Sequence, residues 1–304
     1  MRRKGFTLVE LLVVIAIIAL LMGILMPALA RVRQLAFRMT CGTNLSGIGK
    51  AMLIYANDYE DELPRAGGRN STWNTLGTGW MAEDRYQAFG VTPGSNDGGR
   101  ASISSCFYLL VKYAEVTPKS FVCKGDTGTS EFTLADETAS LPSTDFELID
   151  AWDFGSDPTD NCSYSYHMPF GTYALTTSSE PGLAVASERN PWIKSPAAEA
   201  KTDFASFIPD INPFNGTTEQ ALVGNAISHQ GDGQNVLFLD SHVGFEKRSY
   251  CSLEDDNIFT YSTDTVRGNA KGEIPNTSST PRNRKDSLLV HDPDEFGGTR
   301  SRTR

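Results

Sequence analysis

From Leu11 to Ala30 the chain carries no charged residue. A helix of about 20 residues is roughly 30 Å long, the thickness of a hydrocarbon core, so the run predicts a membrane-spanning helix. About a dozen of its residues are Leu, Ile or Val, together worth on the order of −5 kcal/mol for insertion. Glu10 stands at the mouth of the run. A carboxylate costs about 2.5–3.5 kcal/mol at a helix centre and less near an end, so insertion wins. Beyond the run, Leu45, Ile48, Met52, Tyr55 and Tyr59 step by three and four, a helical stripe that needs something to cover it. Gly42, Gly47 and Gly49 weaken that helix, so packing must hold it, and Pro64 should lie just past its end. The pattern implies one long helix, its first half in lipid and its second half on a globular body.

The body reads less sharply. Residues 65–105, rich in Gly, Asn and Ser, predict irregular structure, and the acidic stretch 127–160 predicts a surface excursion. "CFYLLVKYAE" (106–115) suits a short helix and "SFVCKGD" (120–126) a strand ending in a turn. "CSYSYHMPFG" (162–171), alternating Tyr164 and Tyr166 with serines, suits a half-buried strand, and "GLAVASERNPW" (182–192) offers another. "SHQGDGQNVLFLDSHVGFEKR" (228–248) predicts a hairpin about a two-residue Asp240-Ser241 turn. Phe238 would then face Val243, Val236 would face Phe245, and all four would line one side. Glycine would suit the Ser241 position better, because φ is positive there. The tail beyond Arg267 is polar, with "DSLLVHD" (286–292) able to dock back as an edge strand.

Charge narrows the partners. The formal net charge is −10; Arg2, Arg3 and Lys4 contribute +3, leaving −13 on the remainder. Such a body repels phosphate backbones, which argues against nucleic acid. The basic leader should stay in the cytoplasm by the positive-inside tendency, placing the body across the membrane. There disulfides can form. The five cysteines include no C-x-x-C pair, which argues against a structural zinc site. Cys123 and Cys162 are the preferred disulfide pair because both lie mid-body, and the odd count leaves at least one thiol unpaired.

Candidate chemistry is sparse. His229, Asp232, Asp240 and His242 could hold a metal, although turn-forming Asp and capping His explain them more simply. "GTGWMA" (77–82) matches a dinucleotide fingerprint but follows no predicted strand. Ser228 and His229 are adjacent, and neighbours in a strand point to opposite faces. No G-x-S-x-G, H-E-x-x-H or Walker sequence occurs. The expectation is a protein that is not an enzyme and that calls for no cofactor.

The N-terminus carries more. "KGFTLVELLVVIAIIALL" resembles the leader and first helix of type IV prepilins and type II secretion pseudopilins. An ordinary signal peptide cut after Ala28-Leu29-Ala30, or a plain anchor, would leave Glu10 unexplained, since ionisable residues in such segments are functional by default. The resemblance implies that a membrane peptidase cuts after Gly5 and methylates Phe6. It implies that Glu10 meets the cationic N-terminus of a neighbouring subunit, and that Pro27 is the helix-kinking proline. Residues 228–248 also resemble the His-x9-Asp-Gly segment of a bacterial subgroup, although ten residues separate His229 from Asp240 and Ser241 replaces the glycine. Some pseudopilins hold calcium in a C-terminal loop, which makes calcium a candidate here, with "DFGSDPTDN" (153–161) and "EDD" (254–256) offering oxygen ligands.

The expected fold is therefore α+β: a long N-terminal helix packed on an antiparallel β-sheet, type IV pilin-like. The expected divisions are a leader (1–5), a transmembrane and assembly helix (6–30), the second half of the long helix (31–64), a β-rich body (65–266) and a polar tail (267–304). The implied function is structural, as a subunit of a type IV pilus or type II secretion pseudopilus. The implied partners are related pilin subunits, prepilin peptidase, the inner-membrane assembly machinery and lipid. The expected location is the bacterial inner membrane as a single-pass protein, then a surface or periplasmic filament. The alternative is an anchored extracytoplasmic ligand-binding domain that never polymerises, with Trp73, Trp80, Trp152 and Trp192 lining its site.

Overall fold

A computed structural model describes residues 7–94, 98–137, 141–204, 216–262 and 272–294. The fold is α+β. One helix, α1 (Leu8–Asp58), runs 51 residues, about 77 Å at 1.5 Å per residue. Three short helices follow: α2 (Arg85–Phe89), α3 (Ile103–Tyr113) and α4 (Thr218–Val223). The strands are β1 (Thr72–Trp73), β2 (Arg100–Ala101), β3 (Tyr164–His167), β4 (Ala184–Glu188), β5 (Gln234–Phe238), β6 (Val243–Glu246), β7 (Tyr261–Ser262), β8 (Gly272–Glu273) and β9 (Leu289–Val290). The main sheet is antiparallel in the order β6-β5-β4-β3-β9.

The second half of α1 packs on the sheet through the expected stripe. Leu45, Ile48, Met52 and Tyr55 are buried, while Tyr59 remains partly exposed and stacks on Tyr55, ring centroids 4.1 Å apart. Gly49 has a specific reason to be glycine: a Cβ there would come 2.7 Å from Leu237 Cδ1, so its absence lets the helix backbone settle on β5. Gly42 does the same beside Asn235, where a Cβ would meet Oδ1 at 3.0 Å.

Both faces of the sheet are covered. On the helix side, Leu237, Tyr164, Tyr166 and Val290 join a large core with Phe107, Phe121 and Phe154. On the far side, Val236, Phe238 and Leu289 pack with Trp192, Tyr250, Ile258 and Phe259. The strand at Tyr164 is therefore buried throughout rather than half-buried: Ser163, Ser165 and His167 lie in the interior too.

Three expectations change. The hairpin is shifted by one residue: Leu237 faces Val243 and Asn235 faces Phe245, so Val236 and Phe238 leave the helix side. Ser241 adopts φ +70° and its N–H bonds the Phe238 carbonyl at 2.9 Å. The connection thus holds three residues, Leu239–Ser241, instead of two, and with a period of two that extra residue swaps the faces. The segment before Cys123 is a 3-10 turn (Pro118–Phe121), not a strand. The 127–160 stretch is not merely an excursion, because Phe132, Ala151, Trp152, Asp153 and Phe154 enter the core.

That last stretch brings two buried acids together. Asp292, after β9, receives the Ile103 N–H at 2.9 Å, the Ser104 N–H at 2.8 Å and the Trp73 indole N–H at 2.7 Å, so it sits on the N-terminus of α3. Asp153 accepts from Ser102 Oγ and from the Phe154 N–H. Burial, and then the Asp292 charge, push the Asp153 carboxyl from 3.8 up to about 7. Between those pH values the folded chain keeps a proton that the unfolded chain has lost, so this group's contribution to stability falls as pH rises through the window. Asp153→Asn should therefore gain thermal stability over the parent above pH 7, by several degrees, with the gain vanishing below pH 4. Melting curves across that range check it; a gain independent of pH would exclude ionisation of Asp153 as the cause.

Candidate functional site

The described chain begins at Thr7, which caps α1 in an extended conformation. Glu10 and Thr7 form a reciprocal capping box: Glu10 Oε2 accepts from the Thr7 N–H at 2.8 Å and from Thr7 Oγ1 at 2.7 Å, and Thr7 Oγ1 accepts from the Glu10 N–H at 3.3 Å. The carboxylate therefore organises the first turn of its own helix. Gly5 and Phe6 lie outside the described residues. Pro27 lies inside α1, where it withdraws the donor that would have reached the Gly23 carbonyl.

Among the described residues, the apolar half of α1 is largely uncovered by the body. Leu8, Leu20, Ile24, Met26 and Leu29 are 67–78% exposed. At roughly 25 cal/mol per Å2, leaving a bare aliphatic rod of this length in water is costly, so the surface calls for apolar surroundings. Among the described residues, α1 is the helix long and apolar enough to cross a membrane. The four tryptophans offered for a ligand site are instead core residues, each less than 9% exposed.

The sequence-derived metal candidates split into two places. Asp240 and His242 meet each other at the exposed hairpin tip, with the His242 ring stacked on Phe238. The backbone N–H of His242, and then its side chain, hold the Asp240 carboxyl below the usual carboxylate range. Asp232, at the other end of β5, is exposed and pairs with Arg38 of α1. His229 is buried in a turn rather than a strand, and its Nε2 lies 3.0 Å from Glu188 Oε1 and 3.8 Å from Cys123 Sγ.

The cysteines correct the expected pairing. Cys123 is bonded to Cys41 of α1, Cα atoms 5.2 Å apart, while Cys162 is a free buried thiol. Both Cys123 and Cys162 are mid-body, but pairing follows the approach of chain segments in space. The helix crosses the end of the Pro118–Phe121 turn, and Asn44 Nδ2 donates to the Val122 carbonyl at 3.1 Å beside the bridge.

Sequence reasoning missed Glu188 and Cys41. Glu188 ends β4 at 0% exposure, its carboxylate accepting from the Asn235 N–H at 2.5 Å and from Asn235 Nδ2 at 2.7 Å. An acid at the end of "AVASE" was its only signal.

Residues 1–26 match the family described as the prokaryotic N-terminal methylation motif. No curated protein and no solved structure matches the chain. The N-terminus is thus that of a type IV prepilin/pseudopilin-like precursor, and the motif heads a helix long and apolar enough to cross a membrane. The match stops before the body, so the His229–Asp240 segment rests on sequence resemblance alone.

Proposed function

We propose that this chain is a structural, non-enzymatic filament subunit. Prepilin peptidase cuts it after Gly5 and methylates Phe6, with the leader cytoplasmic and the body extracytoplasmic. The inner-membrane assembly machinery then moves the subunit out of the bilayer into a type IV pilus or type II secretion pseudopilus. The carrying observation is the methylation motif placed directly ahead of an apolar helix half that the body leaves bare. Such a surface is satisfied by acyl chains before assembly and by equivalent helices after it. Glu10, which closes the cap of its own helix, would receive the methylated amine of a neighbouring copy. Calcium would act as a loop stabiliser, read as a chelator-dependent melting temperature.

Mass spectrometry of the mature chain tests the reading. The expected N-terminus is N-methylated Phe6. A chain that keeps Met1–Lys4 in a host with working peptidase, or that begins at Arg31, overturns it.

One feature favours the anchored, non-polymerising alternative. A groove of about 580 Å3 opens between Met26–Arg38 of α1 and the loops carrying Lys124, Ala197 and Ile227. That is ample for a small ligand. Recovery of membrane-bound monomers alone, from cells with the complete assembly machinery, would favour this reading.

A further inference from the structure

Cys41, Cys123, Glu188 and His229 come from four separate pieces of chain, and their ligand atoms all lie within 4.8 Å of one another. All four residues are buried, three of them completely. A disulfide needs no polar company, and burying an acid and an imidazole against one is costly. The donors also match one kind of guest. Two sulfurs, one imidazole nitrogen and one carboxylate oxygen make a four-donor set for a borderline-soft divalent ion such as Zn2+. We propose that the dithiol form of this cluster binds one such ion, and that the Cys41–Cys123 disulfide is its metal-free alternative.

The surroundings are built for the role. His229 directs Nε2 inward, between Glu188 and Cys123. Asn235 clamps both oxygens of Glu188, which fixes the carboxylate as an outer partner does in metal sites. The Gly125 N–H reaches Cys123 Sγ at 3.4 Å, a donor able to hold a thiolate. Gly125 can close there because it lacks a Cβ, which would lie 2.9 Å from His229 Nδ1.

Loading Zn2+ displaces the two thiol protons, places the His229 proton on Nδ1 and moves no electrons. Oxidation of the loaded site instead passes two electrons from the two thiolates to a disulfide-class acceptor. The acceptor takes two protons from solvent as it becomes a dithiol; the sulfurs join and the ion is expelled. Either state ties α1 to the body at Cys41. The ion does so while the two thiols are reduced, and the bridge does so once they are oxidised.

The test uses the full chain in detergent, prepared with a phosphine reductant and titrated with Co2+. The expected result is a thiolate-to-cobalt band with tetrahedral visible absorption, saturating at one ion per chain and bleached by Zn2+. His229→Ala and Glu188→Gln should lose the tetrahedral absorption, and the double variant Cys41→Ser/Cys123→Ser should lose the thiolate band. Asp240→Ala with His242→Ala should keep both. The oxidised chain should bind no Co2+ and yield a Cys41–Cys123 cross-linked peptide. A reduced chain with native circular dichroism and no thiolate band overturns the proposal, as does a band that survives the double cysteine variant. Should the reduced chain unfold, stoichiometric Zn2+ must restore its fold; failure to do so counts equally against the site.

Discussion

Replacing Glu10 with valine is expected to leave membrane insertion intact and to abolish filament formation. Valine makes insertion easier by about 3 kcal/mol or less, because Glu10 lies near the helix end. It also removes the carboxylate that the proposed contact with a neighbour's methylated amine requires. The structure adds a competing local role, since the same carboxylate closes the capping box with Thr7. Glu10→Gln separates the two. A glutamine at this position still closes a capping box but carries no charge. Filaments from Gln and none from Val would assign the effect to the cap, whereas loss in both assigns it to charge pairing. Normal filament yield from the Val variant would end the assembly role altogether. Sheared-filament yield against membrane-fraction content is the measurement.

The second large effect lies in the body. Asp126 and Arg189 form an ion pair with side chains only 2% and 6% exposed, Nε to Oδ2 2.9 Å. Arg189 also donates to Thr129 Oγ1 at 3.0 Å and to the Thr159 carbonyl, so it pins the 126–130 and 157–160 loops to the end of β4. Asp126→Ala strands a buried guanidinium, which costs about 3–5 kcal/mol. In a body of this size that lowers the melting temperature by on the order of 10 °C. Removing both charges with Asp126→Leu/Arg189→Leu should cost less than the single change, because no unpaired charge remains. A single variant melting within about 2 °C of the parent would show that water reaches the pair.

The sequence disclosed most where one property decides the outcome. The apolar run from Leu11 to Ala30 needs no tertiary partner to be recognised as a membrane helix, and the Leu45–Tyr55 stripe carries its period openly. Strands buried on both faces carry no such signal. "AVASE" and "QNVLF" are covered on each side, so alternation said nothing of Glu188 and left the hairpin register to the turn. That turn was misjudged by one residue because Ser241 accepts a left-handed φ that glycine would have advertised. The Cys41–Cys123 bridge was illegible for another reason. Its ends are 82 residues apart, and only the crossing of α1 over the Pro118–Phe121 turn brings them together. Trp152 and Phe154 were lost in an acidic neighbourhood that looked like surface.

The Gly49 seat on Leu237 has a mechanical consequence. The helix backbone rests on β5, Asn235 donates to the Arg38 carbonyl at 3.2 Å, and Cys41 is bonded to the body a turn away. A pull along the axis of α1 is therefore shared at once among these fastenings, in shear, instead of unzipping them one after another. Tension applied to the rod drags the whole body as a single load, a property that suits the proposed extraction from the bilayer.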